Sequence, residues 1–291
     1  MKKMLLFTVT ALLFLLVGTA PALAEAPDCT MCHPQKAEGD NIHPAVGMGC
    51  AVCHASVDAT NIPHDFGGQE RGLAATGADL CFMCHDKAAF SSEKFIHMPV
   101  VGGMCTGCHD PHVSANSKLL VSAVPDLCYN CHEKEKFYGP TVHQPVASGM
   151  CTMCHTPHQS AQRKLLAMPA LDLCMMCHDR EAFFKKSTHR PVKQGQCTEC
   201  HDPHAGQNDK LVLRKGNLLC RKCHANVERT PHAISGFSAS GHPVRGRKDP
   251  LRQGKTFGCP SCHVPHSSES PTLFRYKATG AYDLCTYCHE I

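Results

Sequence analysis

The chemistry of this sequence lies in 22 cysteines and 22 histidines. Every cysteine belongs to a C-x-x-C-H pentapeptide, and these are Cys29, Cys32 and His33; Cys50, Cys53 and His54; Cys81, Cys84 and His85; Cys105, Cys108 and His109; Cys128, Cys131 and His132; Cys151, Cys154 and His155; Cys174, Cys177 and His178; Cys197, Cys200 and His201; Cys220, Cys223 and His224; Cys259, Cys262 and His263; and Cys285, Cys288 and His289. Thiols at i and i+3 of one helical turn share a face, and a histidine at i+4 joins them. Two such thiols can add to the two vinyl groups of one porphyrin while the imidazole reaches its iron, so each pentapeptide reads as an attachment site for haem c. A zinc site does not require a histidine after every second cysteine. Thiol–disulfide exchange requires none either. Eleven motifs with no cysteine left over predict eleven covalent haems.

Outside the motifs stand eleven further histidines: His43, His64, His97, His112, His143, His158, His189, His204, His232, His242 and His266. They match the motif histidines one for one, and neutral imidazole is a strong iron ligand, so bis-histidine ligation is expected at each haem. His64 and His232 fall outside the repeat pattern. His112 follows His109 by three residues. A ligand trans to His109 would have to pass around the porphyrin, so His112 is expected to serve a neighbouring haem instead.

The elements that position these side chains are repeats. Type A motifs follow an apolar lead, as in Asp79-Leu80, Asp126-Leu127, Asp172-Leu173, Leu218-Leu219 and Asp283-Leu284, with Cys29 a weaker member. Type B motifs follow a glycine, as at Gly103-Met104, Gly149-Met150, Gly195-Gln196 and Gly258, and usually continue as C-H-x-P-H. The order is A-B five times and then a final A, with a central period of 46 residues from Cys105 to Cys151 to Cys197. Each repeat adds two haems to a quasi-linear array. His97, His143 and His189 precede a type B motif by eight residues, with His43 and His242 as variants. Leu119, Leu165, Leu211 and Leu273 lie seven residues past the C-H-x-P-H histidines and suit the covering of a porphyrin face.

Two stretches break the period. After His54 the next histidine, His64, is delayed by a segment that runs on to Gly77. Between His242 and Cys259 the chain gains about nine residues that include Arg245, Arg247, Lys248, Arg252 and Lys255. This insertion reads first as a solvated loop and second as a docking surface for an anionic partner. The chain divides into residues 1–24, a signal peptide; 25–78, an N-terminal two-haem segment; 79–224, regular repeats with seven haems; and 225–291, a C-terminal two-haem segment.

Composition agrees with such an array. Tryptophan is absent, aromatics are 6%, and 22 Gly and 20 Pro are present, so a conventional side-chain core is not expected. The fold class expected is mostly irregular with short α-helices and little or no β, an extended haem-packed array. Lys2 and Lys3, an apolar run from Leu5 to Val17 and Ala22-Leu23-Ala24 form an export signal with cleavage before Glu25. The run is too short to span a bilayer and no other segment comes close, so no membrane span is expected. The remaining 27 Lys+Arg and 25 Asp+Glu are nearly balanced and do not suggest a nucleic-acid partner, so none is expected. Propionates would take the oxidised holoprotein to roughly −9.

The paired motifs, such as Cys105-Thr106-Gly107-Cys108-His109-Asp110-Pro111-His112 with Leu119-Leu120 and then Asp126-Leu127-Cys128, resemble the doubled-CxxCH multihaem cytochromes of metal-respiring bacteria. The resemblance covers Cys29 to His289 and implies a haem-packed electron conduit between inner membrane, periplasm and cell exterior. An electron carrier without substrate chemistry is therefore expected, acting in the periplasm or outside the cell. Its partners would be other cytochromes, a quinol-linked donor or an outer-membrane conduit. A multihaem reductase with one open haem, a subunit of a polymeric filament and a plug inside a porin are the alternatives. The haems on Cys29/Cys32 and Cys285/Cys288 are flanked by chain on one side and are the expected ports for exchange.

Overall fold

The computed structural model describes residues 28–227, 232 and 241–290, so the expected signal peptide lies outside the described residues. Each C-x-x-C-H motif folds as one helical turn. In all eleven the histidine amide donates to the carbonyl of the first cysteine at 2.9–3.1 Å, as His33 does to Cys29 and His178 to Cys174. That single bond places both thiols and the ring on one side of the turn. Helices hardly extend beyond the motifs because Gly and Pro punctuate the chain.

The second recurring element begins at the histidine upstream of four of the five type B motifs. His97 is the N-cap, in extended conformation, of the turn Met98–Val101, with proline in the first turn where its missing N–H costs nothing. His143 caps Gln144–Ala147, His189 caps Arg190–Lys193 and His43 caps Pro44–Met48 in the same way.

Eight two-residue strands complete the described secondary structure: β1 Asn41–Ile42, β2 Phe95–Ile96, β3 Val113–Ser114, β4 Thr141–Val142, β5 Gln159–Ser160, β6 Ser187–Thr188, β7 Ala205–Gly206 and β8 Ser267–Ser268. They pair antiparallel as β1 with β3, β2 with β5, β4 with β7 and β6 with β8. Each pair joins the residues just before an N-capping histidine to the residues just after a C-H-x-P-H histidine. The registers Ile42↔Val113, Ile96↔Gln159, Val142↔Ala205 and Thr188↔Ser267 repeat one arrangement. The expected fold class of short helices and little strand holds.

The type B segments share a closed loop. Leu120, Leu166, Val212 and Phe274 bridge back to His109, His155, His201 and His263. Inside each loop two consecutive residues take positive φ, Lys118-Leu119 at 57° and 57°, Lys164-Leu165 at 58° and 56°, Lys210-Leu211 at 58° and 57°, and Thr272-Leu273 at 53° and 61°. Ser114 and Ser160 fasten two of the loops by donating to the carbonyls of Leu120 and Leu166 at 2.5 Å, and Ser268 donates to that of Phe274. The third loop has Gly206 at this place. The delayed stretch after His54 closes on the same pattern, with Ser56 N bonded to Gly72 O at 3.0 Å and Ala74 N to Cys53 O at 2.8 Å.

Side chains form almost no core. Among the described residues the buried hydrophobics are Ala205, Phe274 and Ala278, while Met31, Ile62 and Met98 are 83%, 85% and 74% exposed. Backbone contact replaces side-chain packing where type A and type B turns meet. Gly149 and Gly195 stand just before type B motifs with φ of 70° and 67°. A Cβ on Gly149 would lie 2.8 Å from Pro125 Cδ, and one on Gly195 would lie 2.9 Å from Leu171 Cβ. Pro125 and Leu171 lead into the preceding type A turns, so these glycines set how closely the two motifs approach. Gly149→Ala should therefore combine backbone strain with a steric clash and cost about 1–3 kcal/mol. Denaturant titration followed by circular dichroism checks it, and an unchanged midpoint would remove the role given to this contact.

Candidate haem sites

Every motif histidine faces one histidine from outside the motifs. The ring centres are 6.1 Å apart for His33–His64, 6.0 Å for His43–His85, 6.0 Å for His54–His112 and 6.1 Å for His97–His132. They are 6.0 Å apart for His109–His158, 6.1 Å for His143–His178, 6.0 Å for His155–His204 and 6.1 Å for His189–His224. The last three pairs are His201–His266 at 5.8 Å, His232–His263 at 6.1 Å and His242–His289 at 6.2 Å. Two imidazoles sharing one metal ion stand about 6 Å apart between centres, from two bonds of about 2 Å plus roughly 1 Å from each donor nitrogen to its ring centre. All 22 histidines are used, each once, and each pair lies beside the two thiols of its motif. The donor set fits a haem attached by its edge and ligated from both faces.

Each pair contains a ring whose Nδ1 donates to a backbone carbonyl. His43, His97, His143 and His189 bond the carbonyls of Pro111, Pro157, Pro203 and Pro265 at 2.9–3.0 Å. These are the prolines of C-H-x-P-H, so that proline fixes a histidine of another repeat. His109, His155, His201 and His263 bond the carbonyls of Lys118, Lys164, Lys210 and Thr272 at 2.8–2.9 Å. His54, His64 and His242 bond those of Arg71, Asn61 and Pro243 at 2.8–2.9 Å. A carbonyl only accepts, so Nδ1 carries the proton and Nε2 keeps its lone pair for a metal. Burial acts the same way on His112, His158, His204, His263 and His266, lowering their pKa below the usual histidine range and favouring the neutral ring.

The pairing links repeats that are far apart in sequence. His112 faces His54, not His109, and His158, His204 and His266 likewise face the type B histidine of the repeat before. The type A histidines His85, His132, His178 and His224 face the capping histidine upstream, as His132 faces His97. His64 and His232, which lie outside the period, face His33 and His263.

Consecutive motifs are also neighbours in space, and the contact alternates. Where A is followed by B, the first cysteines meet: the thiol of Cys50 hydrogen-bonds Cys29, Cys81 bonds Cys105, Cys128 bonds Cys151, Cys174 bonds Cys197 and Cys220 bonds Cys259. Burial, with Cys151 beside it, pushes the Cys128 thiol up to about 11. Where B is followed by A, the second cysteine of B lies within electrostatic reach of the A motif: after burial and the A-to-B contact, a charge on Cys53, Cys108, Cys154 or Cys200 raises the pKa of Cys81, Cys128, Cys174 or Cys220. The B-to-A junctions carry the strand pairs as well. His43 N bonds His112 O, His97 N bonds His158 O, His143 N bonds His204 O and His189 N bonds His266 O, at 2.8–2.9 Å. A bridge from His232 to Gly241 stands in that place at the last junction.

Ring planes separate the sites into two groups. The eight pairs from His43–His85 to His201–His266 are 8–32° from parallel. His33–His64, His232–His263 and His242–His289 are at 57°, 46° and 81°. These three use the histidines His64, His232 and His242, whose segments depart from the period.

The doubled CXXCH motif matches residues 43–90, 97–137, 143–183, 189–229 and 249–290, most of the chain. This chain belongs to the doubled CXXCH motif family. Its C-x-x-C-H motifs accordingly bind haem c covalently. A search of curated proteins finds no match. The doubled-CXXCH unit runs B then A and opens on a capping histidine at His43, His97, His143 and His189. Each of these four units contains the facing histidine of its own type A motif. For its type B motif it depends on the next unit.

The carbonyls that orient the rings are not legible in the sequence, because a carbonyl carries no residue identity. The serines at 114, 160 and 268 do leave a signal there, since each falls five residues past a type B motif histidine.

Proposed function

We propose that this chain is an electron-transfer cytochrome with eleven haems c, one at each C-x-x-C-H motif and each ligated by two histidines, that conducts electrons in periplasmic or extracellular respiration. The observation that carries the reading is the one-to-one facing of all 22 histidines at 5.8–6.2 Å. Bound haem supplies reversible one-electron redox chemistry. The polypeptide supplies geometry: the motif turn presents two thiols and a ring, the carbonyls aim Nε2 inward, and the alternating junctions keep each site beside the next.

With haem bound, the second histidine opposite every motif histidine would hold the position that a substrate needs on iron. This supports a carrier over a multihaem reductase. Among the described residues no helix is long and apolar enough to cross a membrane. The partners consistent with this reading are other cytochromes, a quinol-linked donor or an outer-membrane conduit, exchanging electrons through the first and last sites.

Mass spectrometry of the exported protein should give a polypeptide starting near Glu25 plus eleven haems, and a haem-free or zinc-loaded native protein would refute the reading.

Replacing His112 with Ala tests the pairing. Two imidazoles give a strong field and low-spin iron, so this variant should gain one high-spin haem. Adding Cys50→Ala and Cys53→Ala should abolish that high-spin signal, whereas adding Cys105→Ala and Cys108→Ala should leave it. The opposite pattern would assign His112 to its own motif.

Ring planes set a spectroscopic expectation. Near-parallel imidazoles act on the same iron d orbital and split the pair that perpendicular rings leave nearly degenerate. Electron paramagnetic resonance of the oxidised protein should show a dominant rhombic low-spin signal from the eight near-parallel sites. The His242–His289 site should give a strongly anisotropic low-spin signal, lost in His242→Ala. A spectrum with no such component would contradict the crossed geometry at that site.

A further inference from the structure

The basic insertion is an ordered hairpin. Gly246 and Phe257 exchange backbone hydrogen bonds of 3.1 and 3.2 Å, and Asp249 N bonds Lys255 O at 2.8 Å. Its single acid, Asp249, is buried and takes Arg252 inward, with Nη2 2.7 Å from Oδ2, while Ser261 Oγ donates to the same oxygen at 2.6 Å. Burial alone would raise the Asp249 pKa, but the bonds from Ser261 and Arg252 hold it down at about 2. Asp249 and Arg252 thus cancel each other inside the hairpin. Arg252, one of the five basic residues of the insertion, therefore does not add to its outward charge.

Arg245, Arg247, Lys248 and Lys255 remain, all exposed, with no acid of the hairpin left to offset them. The hairpin is fastened to the last two sites. Ser261 lies in the turn Cys259–Cys262, and Phe257 packs 6.0 Å from His242, which faces His289. The hairpin that carries Arg247, Lys248 and Lys255, with Arg245 just before it, is therefore anchored against the last pair of facing histidines.

The first site carries the opposite charge. Residues 28–71 hold Asp28, Glu38, Asp40, Asp58, Asp65 and Glu70, all exposed, against Lys36 and Arg71. Asp58 and Asp65 are bridged to each other across the loop that presents His64 to His33. Haem propionates add negative charge along the whole row, so the hairpin is a basic surface on a molecule of roughly −9. The acidic 28–71 segment of another copy offers a polypeptide countercharge.

We propose that the haem-loaded protein associates head to tail, the basic hairpin 246–257 of one copy docking on the acidic 28–71 segment of the next. Contact of these surfaces brings the His242–His289 site of one copy toward the His33–His64 site of its neighbour and continues the row of sites across the junction. The contact is heterologous, so it repeats rather than closing on itself as a two-fold dimer does. Its role in conduction rests on the electron-transfer reading, but the association itself does not.

Sedimentation velocity tests it on protein whose haem content has first been measured, so that failure of haem loading is seen separately from failure to associate. At about 0.01 M salt, where screening extends over roughly 30 Å, the sedimentation coefficient should rise with concentration; at about 1 M, where it is roughly 3 Å, the protein should be monomeric. Arg247→Glu with Lys248→Glu should weaken association at least about tenfold, the loss of two well-placed charge contacts. Mixing that variant with a Glu38→Lys, Asp40→Lys copy should restore heterologous pairing. If the double reversal lowers haem content, Arg247→Gln with Lys248→Gln should still shift the association in the same direction. Monomers at every salt and concentration, or association that charge reversal leaves unchanged, would overturn the proposal. Association only with anionic vesicles or with an added acidic protein would overturn it in favour of those partners.

Discussion

The constraint on which this structure depends is a distance: two imidazoles stand about 6 Å apart, one of each pair held through Nδ1 by a backbone carbonyl, at eleven places along one chain. An apolar core does not enforce it, since three small or aromatic side chains are the buried hydrophobics among the described residues. Two-residue strands would be marginal alone. They work here because each is bonded directly to a ring-bearing residue, as His97 N is to His158 O. The order of the polypeptide and the order of its cofactors are thus the same property. Loss of haem should loosen the chain, because its own side chains cover so little apolar surface.

Orientation of the rings also explains the local strain. Paired positive-φ residues such as Lys164-Leu165 cost roughly 1–2 kcal/mol each where glycine would not. The turn they make points the Lys164 carbonyl at His155 Nδ1, 2.9 Å away. The leucines read from sequence as porphyrin covers stand at this turn, and their carbonyls receive the amide that follows the motif histidine, as Leu119 O does from Asp110 N at 2.8 Å.

The array is interlocked rather than merely stacked. A doubled-CXXCH unit beginning at His97 supplies the partner of its own His132, but His109 waits for His158 from the following unit. Each unit is therefore incomplete without its successor, which couples nearest neighbours strongly in a linear array. Two sites depart from the rule. His33 lies outside the matched units and takes His64 from a long loop, and His263 takes His232 from the irregular segment before it. These departures from periodicity are also where ring planes cross.

Much of the site was legible in the residues. Eleven C-x-x-C-H motifs determine the attachment points, because thioether formation and one histidine ligand need only residues within a single helical turn, and the 46-residue period determines that the units repeat. The equality of eleven motif and eleven other histidines indicated two per site. Which histidine meets which was not legible, because partners such as His54 and His112 are 58 residues apart and are brought together by backbone bonds that any residue can make. Only the tertiary structure decided that pairing, the carbonyls that hold Nδ1, the crossed planes at the ends, and that Arg252 faces inward to Asp249 while its neighbours face out. Composition and spacing specify what a residue can bind; direction depends on hydrogen bonds between segments far apart in the chain.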